Sequence, residues 1–232
     1  MARKIITVDG LAGTGKTSLA KALAEKLGYR YFSSGSLYRA LAWLALENDS
    51  DLSNGAELIG LLNSHKLSVE PDASPFGSQV LVDGFPRESL LHTPEVSEAT
   101  SKIAVLAEVR ERLLDLQREA LFEYNLVAEG RDMGTIVFPE ADLKFFLTAS
   151  EEIRLQRRFL QLGGQNEKNE ALKLKNELNR EVSLRDRRDS ERALAPTKPA
   201  PDAILLDNSH QTLTQTLVNM YDFALKKGLT SQ

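Results

Sequence analysis

Short apolar runs alternate with amphipathic stretches along the first part of the chain. The mostly apolar run Ile5–Asp9 predicts a buried strand, and three leucines then recur at four-residue spacing before Gly28, which predicts a helix with a glycine cap. Tyr31–Ser33 predicts the next strand. Because the links are short, this strand–helix–strand unit predicts two parallel strands joined by a right-handed crossover.

The same alternation continues to the end of the chain. Further buried strands are predicted at 126–128, 143–147 and 203–207, with helices at about 36–47 and 213–226. Five short strands that alternate with helices predict an α/β fold with a five-stranded, doubly wound parallel sheet.

The middle of the chain, residues 50–100, is punctuated by Asn, Asp, Ser, Gly and Pro. Two strand-like runs, Lys66–Glu70 and Gln79–Asp83, flank the turn-forming stretch 71–78, so we expect a small antiparallel insertion here. An amphipathic pattern over 103–123 predicts one long helix that leads back to the sheet.

Residues 10–17, GLAGTGKT, match the phosphate-loop pattern G-x-x-x-x-G-K-[ST] between the first strand and the first helix. Glycines let such a loop turn its N–H groups toward phosphate oxygens, and the helix N-terminus adds a positive dipole end. Lys16 is expected to reach the β- and γ-phosphates, and the Thr17 hydroxyl is expected to bind Mg²⁺. The alternative is an ordinary glycine-rich turn. The strand–loop–helix context favours a triphosphate site formed by Gly10, Leu11, Ala12, Gly13, Thr14, Gly15, Lys16, Thr17 and Ser18.

Composition narrows the class of protein. The chain has 232 residues, a net charge of -4 and a pI near 5.6, which argues against wrapping a nucleic-acid polymer. It has no cysteine and three scattered histidines, so neither a disulfide framework nor a Cys-ligated zinc site is expected. No apolar run approaches the ~20 residues of a membrane helix, and the first residues lack a signal-peptide core. We therefore expect a cytoplasmic enzyme that does not bind membranes.

Two charged segments follow predicted strands, at the sheet edge where ligands bind in open α/β folds. In SSGSLYR, residues 33–39, Arg39 lies one helical turn past the strand; the alternative is a helix cap with a solvated Arg39. In AEGRDMGTIVFP, residues 128–139, Arg131 and Asp132 suit a site for a phosphate and a base; the alternative is an internal ion pair between the two.

A third charged segment, 150–192, is helical in pattern and is interrupted by the Gly-Gly pair at 163–164, so we expect two helices with a flexible joint. Arg154, Arg157 and Arg158 precede the joint. Mobile arginines could close over a transferring phosphoryl group, whereas the alternative is a solvated charged face.

The fourth segment is SLRDRRDSERALAP, residues 183–196. Arg185, Asp189 and Arg192 recur in it at near-helical spacing and form one polar stripe. Such a stripe is equally typical of a salt-bridged surface, so the pattern alone leaves both interpretations open.

Together these segments resemble the bacterial cytidylate kinase family, which belongs to the nucleoside monophosphate kinases. The similarity covers nearly the whole chain and is carried by DGLAGTGKT, SSGSLYRALAW, EGRDMGTIVFPEADLKFFLTAS and RDRRDSERALAP. The resemblance implies a phosphate-loop NTPase fold with a monophosphate-binding insertion and a short arginine-bearing lid. The core would comprise 1–36, 101–153 and 181–232, with the insertion at 37–100 and the lid region at 154–180.

The resemblance also implies roles for residues at matching positions. Those that bind the acceptor nucleotide, chiefly its phosphate, would be Ser34, Arg39, Arg131 and Arg192. Those that read the cytosine ring would be Ser101, Arg110 and Asp132. Arg185 and Asp189 would lie near the sugar and α-phosphate. The residues that act on the transferring group would be Lys16, Arg131 and the lid arginines Arg157 and Arg158.

Three positions depart from the family pattern. Glu129 stands where the family usually has Asp, which keeps the charge and changes the reach. His92 stands where the insertion usually carries Arg. The string DGFPR at 83–87 is an adenylate kinase signature and favours AMP as acceptor, but its strand is short and no Gln follows within twelve residues. We interpret it as a hairpin turn of the insertion, with Phe85-Pro86 in the turn.

The expected reaction is transfer of the γ-phosphoryl group of ATP, bound with Mg²⁺, to CMP or dCMP. The products are ADP and CDP or dCDP. No general base is needed, because the acceptor phosphate oxygen is already anionic. We expect a monomer with small-molecule substrates. Two alternatives remain, which are a kinase of the same fold that acts on AMP, UMP or dTMP and a non-catalytic phosphate-loop switch.

Overall fold

The computed structural model describes residues 3–161, 184, 186–191 and 194–230. Its strands are β1 (Ile5–Gly10), β2 (Arg30–Ser33), β3 (Leu67–Pro71), β4 (Ser78–Val82), β5 (Phe85–Pro86), β6 (Leu126–Gly130), β7 (Leu143–Thr148) and β8 (Ile204–Asp207). Its helices are α1 (Lys16–Leu27), α2 (Ser34–Glu47), α3 (Gly55–Ser64), α4 (Pro94–Ile103), α5 (Ala107–Glu119), α6 (Glu151–Gln161) and α7 (Leu213–Lys226). Residues 186–191 are also helical, and a π-type turn covers Met133–Val137.

The main sheet has five parallel strands in the order β2-β6-β1-β7-β8. This confirms the predicted parallel sheet. β1 is central, with β6 on one side and β7 on the other, so the carboxyl ends of three neighbouring strands lie at one edge of the sheet. The phosphate loop leaves that edge after β1, and the segment with Arg131 and Asp132 leaves it after β6.

Apolar side chains of the sheet alternate between two cores, one on each face. Leu126 and Ala128 of β6 pack with Leu41 of α2, whereas Val127 packs on the opposite face with Leu23 of α1. Because successive residues of a strand point to opposite faces, a sheet covered by helices on both sides buries nearly every strand residue. The doubly wound architecture is therefore confirmed.

The insertion contains a separate antiparallel sheet of β3, β4 and β5, as the residue pattern predicts. Asp83 and Gly84 form the tight turn between β4 and β5, with φ angles of 53° and 82°. Positive φ at both central residues is typical of a two-residue hairpin loop. Phe85-Pro86 lies in the strand after the turn and pairs with Leu81 and Val82, so the placement of this dipeptide in the turn is wrong.

Helix α3 is not predicted from the residue pattern, although a signal for its start is present. The Asn54 side chain accepts hydrogen bonds from the N–H groups of Ala56 and Glu57 at 3.1 and 3.3 Å, and Glu57 lies three residues after this cap. A capping residue followed by Glu at that distance is a helix-start signature.

The helix predicted over 103–123 is present as α5 but is shorter at both ends, because a break at 104–106 separates it from α4, which the residue pattern did not predict. The apolar pattern continues through Ala104 and Leu106, so it gives no sign of the break. In the structure Leu106 is extended, and the Arg110 guanidinium donates a hydrogen bond to the Ala104 carbonyl at 3.2 Å. That bond satisfies a carbonyl at the end of α4 and fixes the direction in which α5 leaves.

Candidate active site

The phosphate loop has the backbone that its glycines predict. Gly13 and Gly15 have φ angles of 75° and 81°, in the left-handed region that side chains rarely adopt. A Cβ atom at Gly13 would lie 2.8 Å from the carbonyl oxygen of Arg154, so only glycine fits against α6 at this position. Lys16 is nearly buried, and its Nζ donates a hydrogen bond to the Leu11 carbonyl at 3.2 Å. The Lys16 side chain therefore folds back over the phosphate loop.

A cavity of about 200 Å³ opens between the phosphate loop and the segments that follow β2 and β6. Its charged lining residues include five cations and three carboxylates, which are Lys16, Arg39, Arg110, Arg131, Arg158, Glu129, Asp132 and Asp189. The excess of cations suits anionic ligands. Its other lining residues include Ala12, Gly13, Gly15, Thr17, Ser18, Ser34, Tyr38 and Ser101.

Arg110 and Asp132 form a nearly buried ion pair on the wall of the cavity. Arg110 also lies over the Tyr38 ring, with 5.8 Å between the guanidinium carbon and the ring centroid. Ser101, a buried residue of α4, lines the same wall. The three residues expected to read a base are therefore brought together, although 31 positions separate Ser101 from Asp132 in the chain.

Arg131 pairs with Asp189 and not with its neighbour Asp132. The Arg131 Nε donates to a carboxylate oxygen of Asp189 at 2.8 Å, and both side chains are largely buried. Burial alone would lower the pKa of Arg131, but the nearby carboxylates of Asp189 and Glu129 outweigh it and raise that pKa. The interpretation of Arg131 and Asp132 as an internal ion pair is therefore wrong.

Arg39 points into the cavity, so the alternative of a solvated helix cap is wrong. Its Nε is enclosed and has no hydrogen-bond partner among the residues that the structure describes. Burial lowers the pKa of Arg39, and the carboxylate of Glu129 opposes that effect. A buried guanidinium N–H without an acceptor is costly, and a bound anion would satisfy it.

Glu129, at the end of β6, gathers three hydroxyl groups on one carboxylate oxygen. Ser33 donates to it at 2.7 Å, and Thr17 and Tyr31 each donate at 3.2 Å. From the sequence, Glu129 stands out only as a departure from the family. A carboxylate directly after the predicted strand 126–128 is nevertheless a signal for a site at this sheet edge. The carboxylate connects the phosphate loop to β2.

Asp9, the second-to-last residue of β1, is a functional candidate that the residue pattern did not single out. Its carboxylate accepts hydrogen bonds from the N–H groups of Met133 and Gly134 at 2.9 and 2.8 Å. Burial and the nearby Asp132 raise the pKa of Asp9 to about 7, against the lowering effect of those N–H bonds and of Lys16. Asp9 thus fixes the turn that directly follows Arg131 and Asp132.

The three arginines of α6 have different surroundings. Arg158 lines the cavity. Arg157 instead donates to the side-chain and backbone oxygens of Asn208, each at 2.9 Å, and would have to exchange these bonds to reach a phosphoryl group. Arg154 is buried against the phosphate loop. The alternative of a solvated charged face is therefore wrong for Arg154 and Arg158.

Several residues predicted for the site are not among those that line the cavity. Gly10, Leu11 and Thr14 belong to the loop without appearing in the cavity lining, and Arg185 and Arg192 lie outside the described residues. The predicted joint at 163–164 also lies outside them.

Two further observations limit what the described residues can do. The described residues contain no group of three or more His, Cys, Asp or Glu side chains that could by itself hold a metal ion. Among the described helices, none is long and apolar enough to cross a membrane.

Comparison with known proteins agrees with this geometry. A family model described as cytidylate kinase matches residues 6–224 of the chain. A cytidylate kinase from Pseudomonas putida (strain W619) is 45% identical over 215 residues, which is 92% of each chain. One from Desulfitobacterium hafniense (strain Y51) is 42% identical over 204 residues, covering 88% of this chain and 85% of that protein. One from Mannheimia succiniciproducens is 40% identical over 223 residues, or 96% of each chain. The chain therefore belongs to the cytidylate kinase family.

Proposed function

We propose that this protein transfers the γ-phosphoryl group of ATP to CMP or dCMP. One observation carries the proposal: residues of the phosphate loop and the Arg110–Asp132 pair line the same cavity. A donor phosphate and an acceptor nucleotide could therefore be held within the same enclosed space. Phosphoryl transfer depends mainly on such positioning and on neutralisation of charge.

On the donor side, residues 10–18 would bind ATP. The loop N–H groups and the N-terminus of α1 would hold the phosphates, and Lys16 would exchange its bond to the Leu11 carbonyl for phosphate oxygens. The loop backbone already has its left-handed glycines in place for this exchange.

On the acceptor side, Arg39 and Arg131 would hold the CMP phosphate. Within the described part of the chain the enclosed Nε of Arg39 has no acceptor, and Arg131 is fixed by the bond from its Nε to Asp189. Charge-assisted bonds of this kind are strong and geometrically specific. Arg158 would approach the transferring group from α6, while Arg185 and Arg192 are retained as proposed contacts from the sequence.

The base pocket favours cytosine. The N4 amino group of cytosine is a donor, and N3 and O2 are acceptors. The Asp132 carboxylate can accept from N4, and the Arg110 guanidinium and the Ser101 hydroxyl can bond to the acceptors. Uracil would place an acceptor, O4, against the Asp132 carboxylate, and two facing acceptors cannot form a hydrogen bond with each other.

The chemistry of the donor set fits Mg²⁺ bound together with ATP. The Thr17 hydroxyl and the Glu129 carboxylate already lie together, 3.2 Å apart, and both are oxygen groups of the kind that Mg²⁺ prefers. The described residues offer no complete metal cage, which suits an ion whose other ligands are substrate phosphates and waters. When bound, Mg²⁺ would neutralise phosphate charge.

We also propose a division of the chain into a core, an insertion and a lid. Residues 37–100 would form the monophosphate-binding insertion and 154–180 the lid region, with 1–36, 101–153 and 181–232 as the core. We further propose that the enzyme acts as a monomer in the cytoplasm.

The direct test is product analysis. Purified protein incubated with ATP, Mg²⁺ and one monophosphate at a time should convert CMP and dCMP to their diphosphates, as measured by ion-exchange chromatography. UMP and AMP should react much more slowly. ATP hydrolysis that is independent of any monophosphate would favour the nucleotide switch, and a preference for AMP or UMP would favour another kinase of this fold.

A further inference from the structure

Ala12, the third residue of the phosphate loop, is held by side chains from outside the loop on both of its polar backbone groups. Its N–H donates to a carboxylate oxygen of Asp186 at 3.2 Å. Its carbonyl accepts a hydrogen bond from the Arg154 guanidinium, also at 3.2 Å. One loop residue is therefore fixed between α6 and the helical residues 186–191.

Asp186 and Arg154 also form an ion pair with each other, and their side chains are only 13% and 9% exposed. Arg154 is anchored further by a bond from its Nε to the Ala149 carbonyl at 3.2 Å. A pair this enclosed is rigid, and removal of one partner leaves the other charge without compensation.

The phosphate loop benefits from an external support because its own backbone is flexible. Gly10, Gly13 and Gly15 permit the turn that phosphate binding needs, but glycine also allows many other conformations. Affinity for a ligand is gained when a site is held in its binding conformation before the ligand arrives. The contact between Gly13 and the Arg154 backbone shows that α6 packs directly on this part of the loop.

We propose that Asp186 is a positioning residue for the ATP site, which acts by clamping Ala12 together with Arg154. Its residue type and place were not singled out by the sequence pattern. Asp189, three residues later, pairs with Arg131 on the acceptor side, so the same short helix supports both halves of the cavity. The inference rests on the proposed function only in taking ATP as the donor.

The test compares Asp186→Asn with Glu191→Gln in the full-length protein. Glu191 lies in the same helical segment and pairs with Arg187 at 2.9 Å, but both of those side chains are highly exposed. ATP is titrated into each protein without any acceptor, by calorimetry. We expect the dissociation constant for ATP to rise about tenfold in Asp186→Asn, because a bond to a charged group is lost. It should stay within about twofold of wild type in Glu191→Gln, because exposed pairs contribute little.

Steady-state kinetics separates positioning from general damage. In Asp186→Asn the Michaelis constant for ATP should rise clearly more than that for CMP, because the hydrogen bonds that the structure gives Asp186, to Ala12 and Arg154, lie at the phosphate loop. Unchanged ATP affinity, or equal weakening of ATP and CMP, would overturn the proposal. Asp186→Glu, which keeps the charge but displaces the carboxylate, carries the test if Asp186→Asn does not fold: a folded Asp186→Glu with wild-type ATP affinity would also overturn it. A wild type that binds ATP but does not phosphorylate CMP would contradict the proposed function and leave this inference standing.

Discussion

The proposed donor site is a run of consecutive residues, whereas the proposed acceptor site is assembled from positions far apart in the chain. Residues 10–18 form the phosphate loop without a gap, and six of them line the cavity. The proposed acceptor site takes Arg39 from α2, Arg110 from α5 and Asp132 from the segment after β6. The difference shows that phosphate recognition can be a local property of backbone, while recognition of a particular base depends on side chains that meet only in the folded protein.

Loss of the loop cation should have the largest effect on catalysis. Lys16→Met keeps the length of the side chain and removes its charge, so turnover at saturating ATP and CMP should fall by about 10²–10³. Thermal unfolding should show that the variant remains folded. A folded Lys16→Met protein with near-normal turnover would contradict the assignment of the donor half.

Asp9 connects the two halves, and its titration should be visible in stability. Its pKa is raised from 3.8 to about 7, chiefly by burial. Between these values the folded protein binds more protons at this site than the unfolded chain, so the free energy of unfolding should fall as the pH rises from about 4 to 7. The full shift corresponds to about 4 kcal/mol. Denaturant titrations from about pH 4 to 7 should show that the free energy of unfolding of Asp9→Asn depends less on pH than that of the wild type. If both proteins show the same dependence on pH, Asp9 does not titrate with a raised pKa.

Removal of one acceptor-side cation should separate the two substrates. Arg39→Ala should raise the Michaelis constant for CMP about tenfold or more, because a charge-assisted bond to phosphate is worth about 1.5–3 kcal/mol. The constant for ATP should change little. Arg187→Ala, which removes an exposed arginine paired with Glu191, is the matched control and should leave both constants unaltered. Equal weakening of ATP in Arg39→Ala would show that the halves are not separable in this way.

The smallest effect is expected at Arg87, in the string that resembles adenylate kinase. Its guanidinium lies over the Trp43 and Phe85 rings, at 5.4 and 5.7 Å from their centroids. Arg87→Ala should therefore lower the melting temperature slightly, since such contacts contribute about 0.5–1 kcal/mol, and should leave CMP kinetics within about twofold. A crippled Arg87→Ala enzyme together with a preference for AMP would favour adenylate kinase.

The contrast between local and distant contacts also explains how much of the fold and the site could be predicted from the sequence. The parallel sheet and the phosphate loop follow from local patterns, because strand periodicity and glycine conformations act over a few residues. The partner of Arg131 could not be found in this way, since Asp189 reaches it only through the packing of a helix 58 positions later. The start of α5 at Ala107, four residues later than predicted, has a similar reason, because the Arg110 bond to the Ala104 carbonyl is a product of tertiary structure.

The family resemblance identified candidate acceptor residues that the residue pattern alone could not identify. It brought Ser101 and Arg110 into the candidate site, although neither lies in a recognisable motif. It did not predict that Arg157 would contact Asn208, or that Asp186 would hold Ala12, because both are details of side-chain packing.

The central claim is that the Arg110–Asp132 pair makes the acceptor half specific for cytosine. The most direct measurement is the ratio of kcat/KM for CMP to that for UMP, in the wild type and in Asp132→Asn. The wild type should favour CMP by about tenfold or more, because a hydrogen bond from N4 to a carboxylate is replaced in uracil by two facing acceptors, at a cost of about 1.5–3 kcal/mol. Asp132→Asn, whose amide can donate to O4, should narrow the ratio mainly by lowering the value for CMP. A wild type that uses UMP as well as CMP, or a ratio that Asp132→Asn leaves unchanged, would contradict the claim.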